Sequence, residues 1–164
     1  GQDTAWTFPI EVEPGRSYLQ PDQRGQTLSR LKAADGAIVD ARRVPFPNDS
    51  EDLVLLNAPG GCVSFLRRDI GYRVDVKWDP SDLPSCLLWL SNRGRHYAPW
   101  DARVCAAGIE PVAAAFDLGL GHSRSPDTPL ARNGVRNTVK LLQGEVWKTA
   151  YSISVQAISR QAKL

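Results

Sequence analysis

Residues 72–78, YRVDVKW, alternate without interruption, with Tyr72, Val74, Val76 and Trp78 on one side and Arg73, Asp75 and Lys77 on the other. Successive side chains of an extended chain point to opposite faces, so this stretch predicts a strand with one buried and one wet face. Residues 147–157 repeat the pattern, with Tyr151, Ile153 and Val155 inward against Ser152, Ser154 and Gln156, after the turn signal Gln143-Gly144-Glu145. CLLWLS, residues 86–91, does not alternate and reads as a strand covered on both faces. Helical periodicity is absent over any long stretch, while 13 glycines and 12 prolines separate short apolar runs.

Further strands are expected at residues 10–13, 53–57, 62–66, 104–109 and 138–142, and a short helix at 28–34. Residues 44–52 and 119–134 read as loops, the second long enough to suggest a functional role. No repeat of 20 to 50 residues and no low-complexity tract is present. Many short strands at regular spacing predict an all-β chain, an antiparallel β-sandwich formed as one domain over residues 1–164. Its core is expected to hold Val74, Val76, Trp78, Leu88, Ile153 and Val155.

Lys and Arg number 20 against 18 Asp and Glu, and they are scattered, so neither nucleic acid nor an anionic membrane is a favoured partner. No apolar run approaches the ~20 residues of a membrane span and no cleavable leader is visible, so a soluble, cytoplasmic chain is expected. The sequence contains no methionine, so no native start is visible and Gly1 reads as a scar of processing. Cys62, Cys86 and Cys105 lack metal-site spacing and lie in apolar stretches, which predicts reduced thiols packed as small hydrophobes. His96 and His122 are too far apart in sequence to suggest a metal cluster and read as loop residues. The Gly60-Gly61 pair and Gly119 with Gly121 lack the Lys and Ser/Thr of a phosphate loop and read as turns. No metal or other cofactor is expected.

CAAGIEP, residues 105–111, places the carboxylate of Glu110 at the end of an apolar strand, where burial without a partner would cost several kcal/mol. Glu110 either leaves for solvent beside an arginine or serves as a base. The segment before it, residues 89–100, carries Trp89, Arg93, Tyr97 and Trp100. Aromatic faces stack on sugars and charged groups satisfy their hydroxyls, so this mixture suits a carbohydrate site. Trp89 reads as core; Trp100, in a loop beside Pro99, is the stacking candidate.

SEDLVLL, GYRVDVKWD, LPSCLLWLSN, CAAGIEP, a proline-containing loop and LLQGEVWKTAYSISV follow one another in an order that resembles the C-terminal half of the aldose 1-epimerase, or galactose mutarotase-like, family. The likeness runs from about Asp49 to Val155. It implies a galactose mutarotase-like β-sandwich of half size or incomplete, and a groove for a hexose or related aldose. Glu110 matches the family's glutamate base, which takes the anomeric proton while an acid serves the ring oxygen. Asp52 matches an aspartate that contacts sugar hydroxyls, and Arg93 and Trp100 complete the expected site, with Asp52 on the same side as Glu110. The family's histidine acid belongs to an N-terminal half with no counterpart here, and neither His96 nor His122 matches it. The resemblance therefore implies an epimerase-like protein whose acid is supplied from elsewhere or, alternatively, a non-catalytic carbohydrate-binding sandwich. A generic jelly-roll module is the third reading. A half-size sandwich leaves sheet edges to be covered, so a homo-oligomer is expected.

Overall fold

The computed structural model describes residues 4–57 and 59–159. Among these residues ten strands and three single-turn helices follow in the order β1 (Thr4–Thr7), β2 (Arg24–Gln26), a 3-10 turn (Leu28–Arg30), β3 (Leu31–Lys32), β4 (Ile38–Val39), β5 (Ser50–Asn57), β6 (Cys62–Arg67), β7 (Tyr72–Trp78), β8 (Ser85–Asn92), β9 (Cys105–Val112), α1 (Leu120–Ser123), α2 (Pro129–Arg132) and β10 (Tyr151–Ala157). A five-stranded antiparallel sheet has the order β2-β1-β5-β8-β9, a three-stranded one the order β10-β7-β6, and β3 and β4 form a hairpin. The all-β, antiparallel class expected from the alternating segments is the observed one. Among the described residues no helix is long and apolar enough to cross a membrane.

The middle of the five-stranded sheet, β5 and β8, is buried on both faces. Val54 and Leu56 of β5 and Cys86, Leu88 and Leu90 of β8 join Val76 and Trp78 of β7 in one apolar cluster, which fills the space against the second sheet. Leu55 and Leu87 point the other way, into a cluster with Trp6, Phe116 and Leu130. Residues 113–135 thus lie over the outer face, and α2 is held there by its start: Thr128 accepts from the Ala131 amide, with Pro129 as the first helical residue. β8, flanked by β5 and β9 and buried along nearly its whole length, is an interior strand as its unbroken apolar run predicts, although the middle position of the sheet belongs to β5.

Five expectations need correction. Ser50, Glu51 and Asp52, expected in a loop, begin β5. Ile153 and Val155 are 61% and 67% exposed rather than core. They stand opposite Val76 and Val74 in register. Alternation therefore assigned their face correctly, but neither apolar cluster contains a residue of β10. The helix expected at 28–34 is a single 3-10 turn running into β3, because Asp35 and Gly36 close a tight hairpin. Gly36 has a φ of +89° and the Ala33 amide donates to the Ala37 carbonyl, which commits Leu31 and Lys32 to pairing with β4. Residues 10–13 form bends between Pro9 and Pro14, where Glu11 accepts from the Gly15 amide at 2.9 Å. Residues 138–142 are irregular and lead into a turn closed from the Glu145 amide to the Leu142 carbonyl.

Candidate functional site

Register decides which side chains can meet on the outer face. Glu110 is opposite Leu87, which is opposite Leu55, and paired residues of antiparallel strands share a face. Glu110 therefore belongs with Glu51, Leu53 and Leu55 of β5 and with Leu87, Trp89 and Ser91 of β8. Along β9 the outer row reads Ala106, Gly108, Glu110 and Val112, opposite Ser91, Trp89, Leu87 and Ser85. Glu110 stands where a polar end of the face gives way to the apolar end under Phe116 and Leu130.

The polar end is built around Glu51, whose side chain is fully buried. Its carboxylate accepts from Trp89 Nε1 at 2.9 Å and from Ser91 Oγ at 2.5 Å. Arg95 supplies the charge that a buried carboxylate needs: its Nε lies 3.9 Å from Glu51 Oε2 and 3.1 Å from Glu13 Oε1. The Arg95 guanidinium also lies 4.9 Å from the ring centre of Trp100 and 5.5 Å from that of Trp89. The two indoles meet edge to face at 6.1 Å, and this cation between aromatic faces is held in place by stacking as well as by charge. Tyr97 donates its hydroxyl to Glu13 at 2.8 Å, which raises the phenol's pKa because the deprotonated form would lose that bond.

Glu110 itself is exposed. β9 is an edge strand, which is why Pro111, lacking an amide hydrogen, can continue it. A side chain at Gly108 would begin 3.0 Å from Glu110 Oε1 and 3.2 Å from Trp89 Cβ. The glycine thus leaves a notch beside Trp89, and the Glu110 carboxylate leans back over it.

The other expected residues fall in different places. Trp100 is at the polar end of this face, stacked on Arg95. Arg93 is not: with φ of +58° it turns away and its Nε donates to Asp49 at 3.1 Å. Gly94 explains the reversal, because any side chain there would begin 2.5 Å from the Ser50 backbone, and this close crossing hands the site to Arg95. Asp52 does not share a side with Glu110, contrary to expectation. It points to the inter-sheet face, 3% exposed, and accepts from the Leu19 amide at 2.9 Å and the Tyr18 amide at 3.1 Å. Burial pushes its carboxyl up to about 6, against the lowering effect of those amides. Its neighbour Glu51 is the β5 carboxylate on the Glu110 face.

His96 lies between Arg16, 3.3 Å from Nδ1, and Asp49, 3.4 Å from Nε2. His122 is exposed on α1. Neither is hydrogen-bonded or ion-paired to Glu110. Among the described residues no group of three His, Cys, Asp or Glu side chains could hold a metal ion. A cleft of about 390 Å³ opens elsewhere, between β6 and the inter-sheet face of β8 and β9, with Phe46, Phe65, Arg67 and Cys105 in its lining.

Fold and site together define an antiparallel all-β protein with a charged, aromatic-lined end to one sheet face. The chain matches no known protein family, no curated protein and no solved structure.

Proposed function

We propose that this chain is a carbohydrate-binding β-sandwich of the aldose 1-epimerase type, which takes a hexose or related aldose against the outer face beside Glu110. The observation that carries the reading is the exposed Glu110 carboxylate leaning over the Gly108 notch next to Trp89. A sugar presents apolar C–H faces to an indole and hydroxyls to a carboxylate, and the junction between the polar and apolar ends of this face offers both. Trp100 and Arg95 pack against the same Trp89 indole at the polar end of this face. Glu110 acts as the base, accepting the proton of the anomeric hydroxyl, while the ring oxygen receives a proton from an acid outside the described cluster. Asp52 and Arg93 are not part of this reading; Asp52 anchors the segment at Tyr18 and Leu19, and Arg93 pairs with Asp49.

The placement of both histidines favours a second reading, a module that binds sugar without turning it over. Polarimetry on several aldoses, beside calorimetric titration with the same sugars, separates the two. Turnover that falls on the order of a hundredfold in Glu110→Gln, with affinity little changed, supports the base. Saturable binding without turnover supports the module. Absence of both overturns the carbohydrate reading.

A further inference from the structure

The inter-sheet side of β10 carries Tyr151, Ile153 and Val155, each 61–67% exposed, and the segment leading into it adds Leu142, Val146 and Trp147 at 64%, 76% and 38%. Among the described residues β10 is also the edge of its sheet, hydrogen-bonded along β7 alone. We propose that this edge is the pairing surface for a second copy of the same chain, joined antiparallel through β10 about a two-fold axis perpendicular to the sheet.

Two observations carry the proposal, both independent of the sugar reading. The first is that β10 has none of the devices that keep an edge strand single. YSISVQA contains no charge and no proline, and it pairs with β7 residue for residue without a bulge. The second is symmetry. A two-fold axis perpendicular to a sheet keeps each side chain on its own face, so only residues of equal parity can stand opposite one another. With the axis at Ser154, Ile153 faces Val155 of the second copy, and Ser152 faces Gln156. Apolar residues therefore meet apolar ones at every allowed register, and the strand is complementary to itself. The product is one six-stranded sheet of order β6-β7-β10-β10-β7-β6, in which each copy closes the other's open edge. A heterologous edge contact would leave another edge free, whereas this contact ends with two chains.

Sedimentation velocity of the intact chain across micromolar concentrations tests this directly, with a dimer expected. The double variant Ile153→Lys/Val155→Lys is expected to sediment as a monomer with an unchanged far-ultraviolet circular dichroism spectrum, since neither residue belongs to a core cluster. Ser154→Cys places two thiols across the axis within disulfide reach, and oxidation is expected to give a covalent dimer that the Ser152→Cys variant does not give. A monomer at all concentrations, a dimer that survives the double lysine variant, or open-ended assemblies would overturn the proposal. Capture of a different polypeptide by β10 in place of a second copy would overturn it as well.

Discussion

Trp89 donates its indole N–H to Glu51 at 2.9 Å, and this bond ties the neighbouring strands β5 and β8 of the larger sheet together on the face that carries Glu110. A fully buried carboxylate at this position is tolerable because two donors and the Arg95 guanidinium surround it. It also sets where Trp89 lies, and hence the wall against which Glu110 leans.

Replacing Glu51 by Gln keeps the volume but offers one acceptor oxygen where two donors converge. One of Trp89 Nε1 or Ser91 Oγ is then left without its present partner, and Arg95 loses one of its two carboxylates. The expected cost is about 1–3 kcal/mol in urea denaturation. Glu51→Ala, which strands Arg95 further and opens a void, is expected to cost more, about 3–5 kcal/mol. A Gln variant as stable as the parent would show that the cluster is not holding the strands.

Gly108→Ala separates packing from binding. The new Cβ meets the far end of a flexible glutamate at 3.0 Å and Trp89 Cβ at 3.2 Å, so the fold adjusts by a few tenths of an ångström. Stability is expected to change by about 1 kcal/mol or less. The Glu110 carboxylate, however, is pushed out of the notch, so sugar affinity is expected to fall at least about tenfold if the outer face is the site. Titration calorimetry on both forms reads the two effects separately.

Much of the sheet was legible because its strands announce themselves by period. Tyr72–Trp78 alternates and Ser85–Asn92 is apolar throughout, and each is found within a residue or so of where the pattern places it. What the pattern cannot carry is the presence of a covering layer. Ile153 and Val155 show a face, and only the second sheet's extent decides whether that face is buried. The site was legible in type more than in member. SEDLVLLN is buried on both sides, so its sequence does not reveal whether Glu51 or Asp52 points toward Glu110; register does. The choice of Arg95 over Arg93 was fixed by a backbone crossing at Gly94, a tertiary contact between residues about forty positions apart, for which a lone glycine was the single local signal.

The three thiols should react in an order set by burial. Cys105 is exposed, Cys62 half-buried and Cys86 buried, and burial pushes the Cys86 thiol up to about 12, which suppresses the reactive thiolate. Labelling with an aromatic disulfide at pH 8 is expected to give one fast thiol, lost in Cys105→Ser, then a slower one at Cys62. The third is expected only on denaturation. Reaction of Cys86 in the native chain at the Cys105 rate would mean that the inter-sheet cluster opens readily.

Asp52 makes stability fall as pH rises. Its folded pKa, about 6, lies above the ~3.9 of an unfolded aspartate, so between these values the folded chain keeps a proton that the unfolded chain has released. Unfolding is favoured progressively through that window, by at most about 3 kcal/mol, and the loss is complete once pH passes the folded value. Asp40 and Asp69 act with the opposite sign at lower pH. Hydrogen bonds from Arg42 and Arg67 hold them down to about 2, so stability rises as pH climbs from about 2 to about 4, where their unfolded counterparts release protons. Asp52 is therefore expected to give a falling limb between pH ~4 and ~6, while Asp40 and Asp69, in solvent-screened surface pairs, add at most a small rising limb in acid. Asp52→Asn keeps an oxygen for the Leu19 amide but no longer titrates, so its denaturation midpoint is expected to stay level from pH ~4 to ~7 while the acid limb remains. A falling limb that persists in the Asn variant would assign it to another group, and the buried carboxylate would then have to be ionised at no cost to the fold.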